Sequence, residues 1–229
     1  MNSDNSLKNN FALRKRLCEK ILRSGKNDLT LKQQIEFLLT YGNPRKNAEQ
    51  CANKILQEFE SLQSIMNAGI ENLAETANTN ENSVGMFALI RSIGETYYEE
   101  QIMHKNFKDV FENIINFARL KIGGLSKENY IMILLDKSGR VMDYKFSAYG
   151  TTNKTIIYLR NTIEICCRKN YSSVIMIHNH PSGICTPSEM DLNATFAIKR
   201  ALQYIKVNLA DHIIVSKYGF HSMKYENDF

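Results

Sequence analysis

The sequence predicts a helical N-terminal domain, residues 1–105, followed by a mixed α/β domain, residues 106–229. Three observations predict it. Apolar residues in the first half recur every three or four positions, the period of an amphipathic helix. Beyond Gly123-Gly124 they gather into short continuous runs, such as Tyr130 to Leu135, that suit strands buried on both faces. The segment from His178 to Asp191, HNHPSGICTPSEMD, then places two histidines, a serine and an aspartate between the end of one such run and the start of a long helical pattern.

In the first half, Leu13, Leu17 and Ile21 mark a helix that Gly25 stops. Thr30 with Gln33 forms a capping-box pattern ahead of Ile35, Leu38 and Leu39, and Gly42 and Pro44 close that helix. Ala48, Cys51, Ala52, Ile55, Leu56 and Phe59 lie on one face of a third helix, and two more are expected near Leu62 to Ala74 and Val84 to Tyr98. A polar helix around Phe107 to Leu120 fits either domain. In the second half, Asp136-Lys-Ser-Gly139 supplies turn residues between the strand Tyr130 to Leu135 and another from about Val141. A helix over Thr155 to Lys169, a buried strand over Val174 to Ile177, a long helix over Pro187 to Ile205 and strands near His212 to Val215 and Phe220 to Met223 complete the chain. There are no internal repeats.

Composition narrows the function classes. At 43% hydrophobic and 23% charged residues the chain is an ordinary globular protein. It has no apolar run of the about eighteen residues that span a bilayer, and the polar start MNSDNSLKNN lacks the apolar stretch of a secretory signal, so no membrane partner and a cytoplasmic location are expected. Five cysteines, an odd number with no CxxC pair, suggest neither a disulfide framework nor a thiolate zinc knuckle, and are read as reduced thiols. A net charge of +5 permits contact with nucleic acid without requiring it.

The cluster from His178 to Asp191 points to a metal. Alternate residues of a strand share a face, so His178 and His180 project together. Pro181, Ser182 and Gly183 turn the chain, and Thr186 as cap, Pro187 at the first helical position and Glu189 completing a capping box start the next helix. Stepping back by threes from the apolar stripe of Ala194, Ile198, Ala201 and Ile205 reaches Asp191 and then Ser188, both toward the core. A buried carboxylate costs several kcal/mol unless a cation or donors compensate it, and a metal shared with two imidazoles would do so. Two His and one Asp leave a fourth position for water, the mark of a catalytic rather than a structural zinc site. A general base is also needed. Glu189 is occupied at the helix start, whereas Glu128 precedes the strand Tyr130 to Leu135 and is well placed if that strand lies beside the one ending in His178.

HxH, seven residues, Ser, two residues, Asp resembles the JAMM (MPN+) motif of zinc metalloproteases, and HNHPSG followed by Pro-Ser and Asp is similar to the bacterial RadC branch of that family. The likeness extends over KENYIMILLD, YGTT and LADHIIV and so covers essentially the whole chain. It implies a JAMM/MPN-type, cytidine-deaminase-like α/β zinc domain after a degenerate helix-hairpin-helix-like domain. It also implies Zn2+ held by His178, His180 and Asp191, Ser188 supporting an oxyanion, and Glu128 activating the water that attacks an amide carbonyl, with Glu164 as the fallback base. The partner implied is a peptide or protein substrate, with weak DNA contact allowed and oligomeric state left open. Two departures stand out. RadC-like chains carry Pro-Arg-Glu where this one has Leu159, Arg160 and Asn161, and the hairpin stretch Asn78 to Ser83 has no glycine, which weakens the case for gripping DNA phosphates.

Blander readings apply elsewhere. His212 is read as a structural residue of an apolar strand, His104 as part of a charged helix, and Cys185 as a small loop residue. Arg14-Lys15-Arg16 with Lys20 and Arg23 reads first as the solvated face of an amphipathic helix and second as a contact for DNA phosphates. The contiguous His178-Asn179-His180 does not fit an HNH nuclease, whose named residues are dispersed, and the H-x-E and P-C-x-x-C strings of a deaminase are missing. The alternative to a metalloprotease is a DNA-associated repair or recombination accessory protein that uses the zinc fold as a binding module.

Overall fold

The computed structural model describes residues 2–24, 28–59, 61–68, 70–77, 80–148, 154–168 and 171–229. They form two compact units, Met1–Ile93 and Gly94–Phe229, dividing within one long helix. No helix among the described residues is long and apolar enough to cross a membrane.

The first unit is helical: α1 (Asn2–Ser24), α2 (Leu31–Gly42), α3 (Ala48–Glu58), α4 (Leu62–Asn67), α5 (Ile70–Ala77) and the start of α6 (Glu81–Ile102). The Thr30–Gln33 capping box forms at α2, with the Thr30 hydroxyl accepting the Gln33 N–H at 3.3 Å and the Gln33 side chain accepting the Thr30 N–H at 3.2 Å. Ile35, Leu39, Ala52, Ile55, Ile65 and Phe87 are buried in its core. Gly42, the last residue of α2 before the Asn43 C-cap, has no room for a side chain, since a Cβ there would stand 2.6 Å from the Ser83 Cα. The single helix expected near Leu62 to Ala74 is two, since Ala68 adopts extended backbone and ends α4. The expected stop at Gly25 and residues Asn78 and Thr79 of the hairpin stretch lie outside the described residues; Asn80 caps α6 by accepting the Ser83 N–H at 3.1 Å. Arg14 departs from both readings given to its basic stretch. Its guanidinium donates to the Thr40 carbonyl and hydroxyl and lies 4.1 Å over the Tyr41 ring, so this charge is used inside the unit.

The second unit contains α7 (Phe111–Ile122), β1 (Asn129–Leu135), β2 (Val141–Ala148), α8 (Lys154–Arg168), β3 (Ser173–Asn179), α9 (Glu189–Tyr204), β4 (Asn208–Val215) and β5 (Phe220–Ser222). The five strands form one sheet in the order β2-β1-β3-β4-β5, with β3 and β4 parallel and every other neighbouring pair antiparallel. Both faces are covered, which explains the continuous apolar runs. Ile131, Ile133, Leu135, Ile175 and Ile177 pack with Ile114, Phe117 and Ile122 of α7, whereas Tyr130, Met132, Leu134, Val174 and Met176 pack with Cys166 of α8 and Ile198 and Leu202 of α9. The helix that fitted either domain is therefore α7, and its apolar side belongs under this sheet. At the β1–β2 turn, Gly139 takes φ 76° while Asp136 Oδ1 accepts the N–H groups of Ser138 at 2.8 Å and Arg140 at 2.9 Å. His104 is not on a helix; it follows α6 with φ 62° and donates its N–H to the Val141 carbonyl at 2.8 Å. All five cysteines are free.

Candidate metal centre

Strand parity puts His178 on the α9 face of β3, two residues beyond Met176. His180 stands just past the strand, its backbone N–H still donating to Val215 at 2.9 Å. The chain then turns through Gly183, whose φ of 88° suits glycine and whose missing side chain leaves room for the Tyr218 ring. It enters α9 two residues later than expected. The cap is Ser188, not Thr186, and the capping box is completed by Asp191, not Glu189. Ser188 Oγ accepts the Asp191 N–H at 3.2 Å, and Asp191 Oδ2 accepts the Ser188 N–H at 2.8 Å and its O–H at 2.6 Å. Both Thr186 to Glu189 and Ser188 to Asp191 have the pattern of a box. The second places the Asp191 carboxylate at the positive end of the helix, where its charge is favoured.

The cap also aims the site. With Oδ2 held by Ser188, Asp191 presents Oδ1 to His178 Nε2 at 3.3 Å while Oδ2 lies 3.3 Å from His180 Nε2. The two Nε2 atoms are 3.1 Å apart. A tetrahedral ion with bonds of about 2.0–2.1 Å requires ligand-to-ligand edges of about 3.3 Å, a length that the two nitrogens, and each nitrogen with its own Asp191 oxygen, approach. His178 is buried and the other two are half-buried. This group could hold a metal ion. Ser188 itself is exposed, contrary to the expected core-facing position, and its proton points to Asp191.

The electrostatics fit a cation. Burial works against the Asp191 charge, but the adjoining His178 and His180 rings and the Ser188 hydroxyl outweigh it and hold the carboxyl far below the usual carboxylate range. Asp191 in turn raises the His180 pKa above its ordinary 6.5, against burial and with smaller help from the Ile184 carbonyl and the Glu128 charge. His180 Nδ1 donates to that carbonyl at 2.8 Å, which turns Nε2 to the site.

Glu128 immediately precedes β1, and β1 does lie beside β3. Tyr130 pairs with His178 in this antiparallel ladder, so continuing the register two residues sets Glu128 level with His180. Glu164 and Arg160 lie exposed on α8, with Asn161 half-buried between them in sequence. Glu189 is exposed in the first turn of α9, free of the capping duty expected of it. Cys185 is a loop residue that donates to Ser216 Oγ at 3.2 Å.

Three residues were missed by the sequence reading. Asn179 is fully buried; its Oδ1 accepts the Asn129 N–H at 2.5 Å, and its Nδ2 donates to the carbonyls of Lys127 at 3.1 Å and Leu125 at 3.2 Å. His212, read as purely structural, is buried with Nε2 2.9 Å from His178 Nδ1, and burial holds its pKa well below the ordinary value. Thr195 Oγ1 lies 2.5 Å from the other ring nitrogen of His212. The available signal was the buried polar side chain inside an apolar strand or stripe, which demands a partner.

The chain is similar to known proteins along nearly its whole length. A UPF0758 protein of Fusobacterium nucleatum is 28% identical over 96% of this chain and 98% of its own. A UPF0758 protein of Aromatoleum aromaticum is 30% identical over 88% and 89%, respectively. Residues 9–83 match the family description UPF0758 N-terminal, and residues 108–228 match RadC-like JAB domain. The second match contains the sheet, α9 and the His178, His180 and Asp191 group, and the chain belongs to the family of proteins with a RadC-like JAB domain.

Proposed function

We propose that the chain is a zinc-dependent metallohydrolase of the metalloprotease type, cleaving a peptide or isopeptide amide bond. The observation that carries this reading is the convergence of His178 Nε2 and His180 Nε2, 3.1 Å apart, on the Asp191 carboxylate, whose two oxygens lie 3.3 Å from one nitrogen each. His178, His180 and Asp191 would hold the zinc, which would supply Lewis acidity to activate a water and polarise the scissile carbonyl. Glu128 takes the proton that the attacking water releases and delivers it to the leaving amine. Ser188 turns its hydroxyl from Asp191 to the developing oxyanion, while its N–H keeps the carboxylate in place.

Zinc content and turnover of a peptide library, measured on wild type and Glu128→Gln, test the reading. Zinc-loaded wild type is expected to cleave, and Glu128→Gln to keep its zinc while losing about 10²- to 10⁴-fold in rate. Undiminished turnover in Glu128→Gln, or a zinc-loaded wild type that cleaves nothing, contradicts it.

A further inference from the structure

We infer that Thr195 and His212 are positioning residues that fix His178 in the tautomer whose bare Nε2 faces the metal position. The inference rests on the metal site proposed above but is read from hydrogen bonds that need no metal. Thr195 Oγ1 lies 2.6 Å from the Asp191 carbonyl, which can only accept, so the single hydroxyl proton goes there. The Met223 sulfur at 3.7 Å is a poorer acceptor and does not compete. With its proton committed, the hydroxyl accepts from His212 Nδ1 at 2.5 Å. A neutral imidazole carries one N–H, so His212 Nε2 is bare and accepts from His178 Nδ1 at 2.9 Å. The last link leaves the His178 Nε2 lone pair 3.1 Å from His180 Nε2 and 3.3 Å from Asp191 Oδ1, with space between them for a cation.

Each link has one direction only, because the chain begins at a carbonyl. That carbonyl belongs to Asp191, so the residue that offers a carboxylate to the site also sets, through its main chain, the proton order of an imidazole ligand. Ligating histidines generally donate their second nitrogen to a carboxylate, a carbonyl or water. Here His180 follows that rule with Ile184, whereas His178 donates to a second imidazole that must itself be oriented. An unrestrained neutral histidine prefers its proton on Nε2, the nitrogen needed bare here, so the relay opposes the intrinsic preference. Thr195, His178 and His212 are all buried, which keeps water from replacing any link.

The test uses the full chain, metal-free, at about pH 8.5, where histidines are largely neutral. Two-bond ¹H–¹⁵N spectra of the rings are expected to show both His178 and His212 protonated on Nδ1. Thr195→Val, nearly the same shape but without an acceptor, is expected to return His178 to a mixture of tautomers and to weaken zinc binding, measured by chelator competition, about 10- to 100-fold. Thr195→Ser is expected to restore both readouts. A proton on His178 Nε2 in the metal-free wild type overturns the inference whether or not the variants fold. So does a Thr195→Val protein with unchanged tautomer and zinc affinity. A wild type that shows the Nδ1-protonated rings yet binds no zinc supports the relay and contradicts the metal site.

Discussion

Asn179 accepts the Asn129 N–H at 2.5 Å, and through it the strand that carries His178 is tied to the segment that carries Glu128. The same side chain donates to Lys127 O, so it holds the main chain on both sides of Glu128. Asn179 faces away from the histidines beside it because alternate residues of a strand point oppositely. Replacing it by Ala leaves the Asn129 N–H and the Leu125 carbonyl without this buried partner, while the Lys127 carbonyl keeps the Asn129 side-chain amide at 2.8 Å. A loss on the order of 3 kcal/mol in stability is expected, read from urea unfolding, at one to three per orphaned group with partial rehydration. Turnover should fall further than zinc affinity, since the ligands stay in place while the Glu128 segment loosens. An Asn179→Ala protein as stable and as active as wild type would count against this role.

Ser188→Ala removes a helix cap and a donor to Asp191 together. The cap is worth about 1 kcal/mol, and a lost partner of a ligand about 10-fold or more in metal affinity. Both effects should be visible by thermal unfolding and chelator competition even with no substrate present. Ser188→Thr, which keeps the hydroxyl, should recover most of each. If Ser188→Ala alters turnover alone, the hydroxyl does not help to hold Asp191.

Metal-free and metal-loaded protein should respond to pH in opposite directions. The Asp191 pKa is lowered in the fold, so its contribution to stability is present above the ordinary 3.8 and is lost as pH falls through the folded value. The His180 pKa is raised, so its contribution is full below 6.5 and is lost as pH rises through its folded value. In the metal-free protein this pair therefore contributes most between these two ordinary values. Zinc has to displace the His180 proton, so its affinity should rise as pH increases through a value above 6.5. Calorimetric melting temperatures with and without zinc, compared at several pH values, should diverge upward from pH 6 to pH 8. A constant difference across that range contradicts the assignment of His180 as a ligand.

Much of the fold was legible because the buried strands advertise themselves. Tyr130 to Leu135 is apolar at every position, and both faces of β1 are covered. The grouping of His178, His180 and Asp191 was legible for a different reason: two histidines of one parity, a tight turn and a helix returning at once bring these side chains together from local geometry alone. The start of α9 was less so, because Thr186 to Glu189 and Ser188 to Asp191 overlap as capping patterns, and the choice between them depends on where Asp191 meets the imidazoles. His212, Thr195 and Asn179 depend on pairing that is not local. His212 reaches His178 only because β4 runs parallel to β3 with His212 level with Met176, and Asn179 finds Asn129 only because β1 lies on the other side of β3. The division of α4 from α5 turns on the extended backbone of a single residue, Ala68, to which apolar periodicity is insensitive.

The most direct measurement of the central claim is zinc stoichiometry by elemental analysis on purified wild type beside Asp191→Ala. The arrangement of His178, His180 and Asp191 predicts one zinc per chain in the wild type and a loss of most of it in Asp191→Ala, with the fold retained by circular dichroism. A wild type without stoichiometric zinc after incubation with the metal, or an Asp191→Ala protein that holds zinc as tightly as wild type, contradicts the site.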